Sequence, residues 1–245
     1  MTRLSINLNK VALLRNQRAM PYPSVLAAAH SVIDAGAQGI TVHPRPDERH
    51  IKKTDVHDLT GLFRTKLDGD VEYNIEGYPS AEWLDLVKAA APHQATLVPD
   101  PPDAQTSDHG WDIPRHADFL ASVIGQLKDA GIRVSLFVDP EPEAVRAAKA
   151  VGADRVEIYT GPYGLTHGGD EGPGEFARVV AAGKAAEDEG LGLNAGHDLN
   201  LDNLPALRKA LPWLQEVSFG HAFTADALRL GYGASVKAYL QALSP

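Results

Sequence analysis

A closed barrel of eight strand-then-helix units, (β/α)8, is the fold that the sequence predicts. Three observations predict it. Short β-branched runs alternate with longer Ala/Leu-rich stretches, and 245 residues hold eight such pairs. Helical stretches end in recurring glycine punctuation: DAGAQGITV, DAGIRVSLF, AVGADRVEI and DEGLGLNAG. A glycine there can take the left-handed backbone, and the next strand follows within a few residues. The strands read as apolar runs without strict alternation, VSLFV most clearly, as strands covered on both faces do. A doubly wound sheet is the competing architecture. It has no use for eight evenly spaced units, and the first strand is not followed by GxGxxG.

In chain order, the first strand is expected at 4–9 and its helix at 24–35, stopped by Gly36. Strand 39–43 precedes a helix at 54–67, and strand 71–76 precedes one at 80–90. Strand 95–99 leads through a long loop, 99–114, with four prolines, to a helix at 113–130 stopped by Gly131. Strand 132–139 pairs with helix 141–151. Strand 154–160 is followed by a loop at 161–174 with six glycines and a helix at 171–189. The last two units are strand 192–196 with helix 201–211, and strand 216–220 with helix 224–243. The long loops all follow strands and precede helices. They share the C-terminal rim of the barrel, which makes that rim the active face.

Composition narrows the function. Lys and Arg number 23 against 32 Asp and Glu, a net charge of −9, and no dense basic run exists, which argues against a nucleic-acid partner. The absence of cysteine excludes disulfides, thiolate metal sites and a cysteine nucleophile. MTRLSINLNKVALL is too interrupted for a signal peptide, and no window approaches the roughly 20 apolar residues that span a bilayer. The expectation is a soluble cytoplasmic protein with no membrane partner and a single domain, 1–245.

Polar residues collect at the predicted strand ends: Asn7 and Asn9, His43 and Arg45, Glu76, Glu157 and Thr160, Asn194 and His197, Gly220 and His221. Any one of them could be an ordinary satisfied rim residue. Six strands delivering them to one mouth point instead to a shared acid–base site. Arg15, Arg18, Arg45 and His50 would make that mouth cationic and draw in an anionic substrate. The turns at Gly196–His197 and Gly220–His221 lie where barrels commonly bind phosphate, after strands seven and eight. Metal catalysis would need three converging ligands, and neither HxH on the first strand nor HExxH occurs. A Schiff-base lysine would have to be Lys10, which is out of phase with Asn7 and Asn9.

NLNKVALLRNQR, GITVHPRPDERHI, YNIE, LVPD, EIYTGPY, LNAGHDLN and FGHA occur in this order. Together they resemble the pyridoxine 5'-phosphate synthase family over essentially the whole chain, 4–243. The resemblance implies a (β/α)8 barrel with extra helical elements, assembled as a homo-octamer. It implies condensation of 3-amino-2-oxopropyl phosphate with 1-deoxy-D-xylulose 5-phosphate to pyridoxine 5'-phosphate, phosphate and water, with no metal or organic cofactor. By this likeness His43 is a general acid or base, Glu76 the catalytic glutamate and His197 the proton donor to departing hydroxyls. Asn7, Arg18, Gly220 and His221 resemble ligands of the aminoketone phosphate. Asn9, Lys10, Arg45, His50 and Thr106 match contacts of the deoxyxylulose phosphate, and Asp198 is counted with the substrate contacts. Glu157 matches a second deep carboxylate that orients the amine, and the 99–114 segment matches a lid. Better-known members have Asp-His at Asn9–Lys10, Gly at Asp198, His at Tyr159 and Arg at Asp226. Another sugar-phosphate barrel enzyme (epimerase, isomerase or aldolase) and a non-catalytic phosphometabolite-binding protein are the competing functions.

Overall fold

The structure is a computed structural model that describes residues 1–65, 71–100 and 107–244. Eight strands run parallel in chain order: β1 (Arg3–Asn7), β2 (Gly39–Val42), β3 (Glu72–Gly77), β4 (Gln94–Leu97), β5 (Arg133–Val138), β6 (Arg155–Ile158), β7 (Gly192–Ala195) and β8 (Glu216–Phe219). Each pairs with the next, and β8 closes on β1 with Ser5 opposite Ser218. The outer layer consists of α1 (Asn9–Asn16), α2 (Val25–Asp34), α3 (Lys53–Thr65), α4 (Ala81–Ala90), α5 (Ile113–Asp129), α6 (Pro142–Ala150), α7 (Gly161–Thr166), α8 (Gly172–Asp188), α9 (Leu204–Ala210), α10 (His221–Leu230) and α11 (Tyr232–Ala242).

Local chemistry sets these boundaries. Ser24 and Ser80 accept the backbone N–H groups of Ala27 and Trp83 and so start α2 and α4. Asp112 caps α5, with Pro114 in its first turn. The punctuating glycines Gly36, Gly131, Gly152 and Gly190 all have positive φ, between 66° and 111°. Every expected strand is present within about two residues.

The helices required corrections. The chain turns into α1 at once after β1, so Asn9 opens a helix and is not a strand end. This helix is short and half polar, with only Val11 and Ala12 buried, so its apolar period is weak. The glycine-rich stretch after β6 contains α7, whose Pro162 stands at the helix start, where proline is tolerated. The expected final helix, 224–243, is two helices broken at Gly231, whose φ of 80° and ψ of 158° no helix can hold. Residues 66 and 67 of the expected 54–67 helix lie outside the described residues.

One set of strand side chains faces the helices and forms the apolar core, among them Ile6, Ile40, Val42, Ile75, Leu97, Val134, Leu136, Val156, Leu193 and Val217. The alternate set faces the barrel lumen and is mostly polar, where aliphatic layers are usual. Ser5 and Thr41 hydroxyls bond at 2.8 Å, and Thr96 donates to Asn74 at 3.0 Å. Asn194 on β7 reaches Gln94 on β4 at 3.5 Å, a bond that crosses the lumen because those strands are not neighbours. At the N-terminal mouth Glu72 pairs with Arg3 and Arg133, and Arg155 lies 3.7 Å from Glu216. Most lumen strand positions thus offer a hydrogen-bonding group, Phe137 being the large apolar exception, and those at the C-terminal ends open into a cavity. Among the described residues no helix is long and apolar enough to cross a membrane.

Candidate active site

The C-terminal mouth holds a cavity of about 400 Å³. Asn7, Glu76, Glu157 and Ser218 reach it from strands, His43 from just past β2, and His197 and Gly220 from the turns after β7 and β8. Asn9, Lys10, Arg45, His50, Asp198 and His221 line its edge. A second cavity, about 600 Å³, shares His43 and Arg45 with it, but its other walls include Asp100 and the aromatic side chains of Tyr78, Trp83 and Trp111. The acid–base groups gather in the smaller one.

A chain of hydrogen bonds fixes the floor. Asn7 Nδ2 donates to Glu76 Oε2 at 3.3 Å, and Asn7 Oδ1 accepts the Asn9 N–H at 3.0 Å. Asn9 Oδ1 accepts the His43 N–H at 2.9 Å. His43 Nδ1 then stands 3.8 Å from Glu76 Oε2. Burial pushes Glu76 well above the usual carboxylate range, and Glu157, Asp100 and Glu216 push the same way while Arg45 opposes them. Burial, followed by Arg45, His50 and Arg49, holds His43 well below the ordinary imidazole value. Both shifts favour the uncharged form of the group concerned and so weaken any ion pair between them. Beneath them burial and Glu216 raise Glu157 to about 8, and burial raises Glu216 itself to about 7.

The edge carries two donor groups. Arg45 donates to Asp100 Oδ2 at 2.6 Å, and that oxygen also accepts the Ser107 hydroxyl at 2.6 Å, so Arg45 is held in place and partly neutralised. His50 Nδ1 accepts the Ile51 N–H at 2.9 Å, which leaves its ring hydrogen on Nε2 as a donor. Burial and the neighbouring Arg45 and Lys10 lower His50 to about 4, so the ring is neutral. Lys10, on the first turn of α1, supplies a cation beside it. Opposite, Gly220, His221 and Ala222 present the first turn of α10, whose backbone N–H groups and dipole suit an anion.

Not every expected residue arrives. Arg18 is exposed and does not line the cavity. Arg15 pairs with Asp55 and donates to the His50 carbonyl at 3.2 Å, so it ties down the loop after β2 and does not charge the mouth. Asn194 bonds deeper, to Arg155 and Gln94. Thr160 is buried and donates to the His197 carbonyl at 2.7 Å. Thr106 lies outside the described residues, as do residues 101–105 of the expected lid. Asp226 accepts from Tyr239 at 2.9 Å and ties α10 to α11, away from the cavity. Sequence reasoning missed Asp100, Ser107, Phe137 and Ser218. Asp100, in LVPD one residue past the fourth predicted strand, was the legible one. Ser218 Oγ is buried without a protein partner.

Comparison with known proteins identifies the family of the chain. The family model described as Pyridoxal phosphate biosynthesis protein PdxJ matches residues 4–245. A Pyridoxine 5'-phosphate synthase of Brucella abortus (strain S19) is 52% identical over 243 residues, covering 99% of this chain and 98% of the relative. One of Brucella suis (strain ATCC 23445 / NCTC 10510) is 51% identical with the same coverage. Among solved structures, a tryptophan synthase alpha-subunit from Pyrococcus furiosus superposes with a TM-score of 0.66 at 14% identity, over 98% of this chain and 97% of that one. Phosphoribosylanthranilate isomerase from Thermotoga maritima gives 0.60 at 13%, over 99% and 98%. These distant structures share the barrel alone. With the family model and half-identical relatives both spanning its whole length, the chain belongs to the pyridoxine 5'-phosphate synthase family.

Proposed function

We infer that the chain joins 3-amino-2-oxopropyl phosphate to 1-deoxy-D-xylulose 5-phosphate and releases pyridoxine 5'-phosphate, inorganic phosphate and water. Family membership carries the reaction. One observation carries the site: Glu76, His43 and His197 line one cavity between two anion-receptive edges. Two phosphorylated substrates need two such edges. The α10 turn at Gly220–His221, with Asn7, suits the aminoketone phosphate. Lys10, Arg45 and His50 suit the deoxyxylulose phosphate, with Asn9 holding His43 between them. Arg18 and Thr106 enter the reading by family likeness alone.

Joining an amine to a ketone and then losing water requires repeated proton transfer. The buried carboxyls Glu76, Glu157 and Glu216 form a region that favours a substrate ammonium, and its arrival favours ionisation of Glu76. Glu76 then takes protons from the condensing carbons and nitrogen. Neutral His43 relays them, and Glu157 orients the amine. His197 gives a proton to each departing hydroxyl. The catalytic unit is one domain, 1–245, working in the cytoplasm as a homo-octamer without metal or organic cofactor.

The test is a turnover assay with both substrates in EDTA, following product by fluorescence and mass spectrometry, with light scattering on the same sample. Product with matching phosphate release and a particle of about eight 26.2 kDa chains is expected. Folded protein that consumes neither substrate would overturn the reading. So would activity lost to chelation, for the cofactor, or a smaller active particle, for the assembly.

A further inference from the structure

We propose that Asp198 is a positioning residue: its carboxylate holds the His197 ring with the hydrogen on Nδ1 and so assigns proton delivery in the cavity to Nε2. The proposal rests on the reading of His197 as the proton donor.

Asp198 Oδ2 lies 3.1 Å from His197 Nδ1. The hydrogen bond to His197, with His221 and Lys10 nearby, keeps the Asp198 carboxyl below the usual carboxylate range against the effect of burial. An ionised carboxylate only accepts hydrogen bonds, so Nδ1 carries the hydrogen. The backbone is shaped for this contact. Asp198 has φ of 60°, in the left-handed region that non-glycine residues seldom occupy. Its surroundings hold it there: Asn203 Nδ2 donates to the Asp198 carbonyl at 3.3 Å, and Gly164 packs so closely that a Cβ would sit 2.5 Å from that oxygen.

The rest of the ring is held as well. Tyr159 meets it edge-on with centroids 5.3 Å apart, Phe137 lies at 6.5 Å, and Thr160 holds the backbone carbonyl. A carboxylate at the edge of a cavity that receives two phosphates repels both, so it is poorly suited to contact them directly. Acting through the ring, the same charge is useful. It stabilises the imidazolium, which gives its Nε2 proton to a hydroxyl oxygen as the C–O bond breaks, with the bonding pair going to oxygen. Water leaves, and the ring is left neutral with Nδ1–H still bonded to Asp198. Among the described residues, the other titratable and charged groups near the pair include Lys10 from α1, His221 from α10, Tyr159 and Glu157 from β6 and its end, and Asp108 and Asp139 from the loops beside them.

The test compares Asp198→Gly, Asp198→Asn and His197→Gln. Glycine suits the left-handed backbone, so Asp198→Gly keeps the fold while removing the carboxylate. Its kcat should fall about 10- to 100-fold with both KM values within about twofold of the parent. Asparagine keeps an acceptor without the charge, so it should recover part of that loss and move the alkaline limb of kcat about one pH unit lower. In the His197→Gln background, Asp198→Gly should cause no further loss. Nitrogen NMR of the His197 ring should show Nδ1–H in the parent and a tautomer mixture in Asp198→Gly. If Asp198→Gly raises a KM while kcat and the pH limb stay put, Asp198 is a substrate contact and the proposal is wrong. Additive losses in the double variant would also overturn it. A fully active His197→Gln would instead sink the proton-donor reading, and the proposal with it.

Discussion

Glu76 and Glu157 show how burial sets the chemistry of a single residue. A base must be ionised to act, and Glu76 is pushed well above the usual carboxylate range partly by Glu157 below it. Glu157→Gln removes that push, so the acid limb of kcat/KM should move to lower pH. An unmoved limb would dissociate Glu76 from the rate profile. Glu76→Gln should cut kcat by about 100- to 10,000-fold with little change in substrate binding. Loss of binding at unchanged kcat would make Glu76 a ligand and not a base. These residues were legible in the sequence because a histidine and a glutamate at strand ends in a barrel converge whatever the loops do. Arg15 was misread for a related reason. It lies in α1, and a one-dimensional count cannot tell a cation facing a cavity from one paired with Asp55. Nor could it show that Asp100 takes up Arg45.

At the scale of an element, the end of β3 is held from outside the barrel. Trp83 of α4 donates its indole N–H to the Glu76 carbonyl at 3.1 Å, and Gly77 makes room for the ring, since a Cβ there would lie 2.1 Å from the indole nitrogen. Gly77→Ala should therefore force the indole away, cost about 1–3 kcal/mol of stability and lower kcat by moving Glu76. Urea denaturation and turnover on the same sample check this, and unchanged values for both would show that α4 does not position the catalytic strand. The strands were legible because apolar runs and helix-ending glycines are local signals. α1 and α7 were not, because a short helix with few buried residues leaves no strong period. The break between α10 and α11 was hidden because one glycine in an Ala/Leu-rich stretch reads as a tolerated defect until its φ is known.

Over the whole molecule, the buried carboxyls couple stability to pH. Glu216 has an ordinary value of 4.5 and rises to about 7 in the folded chain. A raised carboxyl stabilises the fold fully below its unfolded value, and this contribution is lost as pH rises through the folded value. Between pH 4.5 and 7 the loss is on the order of 3 kcal/mol. The urea midpoint should fall from pH 5 to pH 8, and fall less steeply in Glu216→Gln. Parallel slopes would show that this carboxyl is not linked to folding. The eightfold pattern made the barrel legible, but not the polar filling of its lumen. Strand sequences such as TV and NIE do not say which of two alternating faces is the aliphatic one until register is fixed.

That polar lumen has a calorimetric consequence. Unfolding usually raises the heat capacity by about 12–15 cal/mol/K per residue, because exposed apolar surface contributes positively and exposed polar surface negatively. Here unfolding exposes Ser5, Thr41, Asn74, Gln94, Thr96, Ser135 and Asn194 with Glu76, Glu157 and Glu216, all buried in the native barrel. The heat-capacity increment should therefore lie at or below the lower end of that range. The enzyme's stability would then change little over a wide span of temperature, as a property of the inside of its barrel and not of its surface.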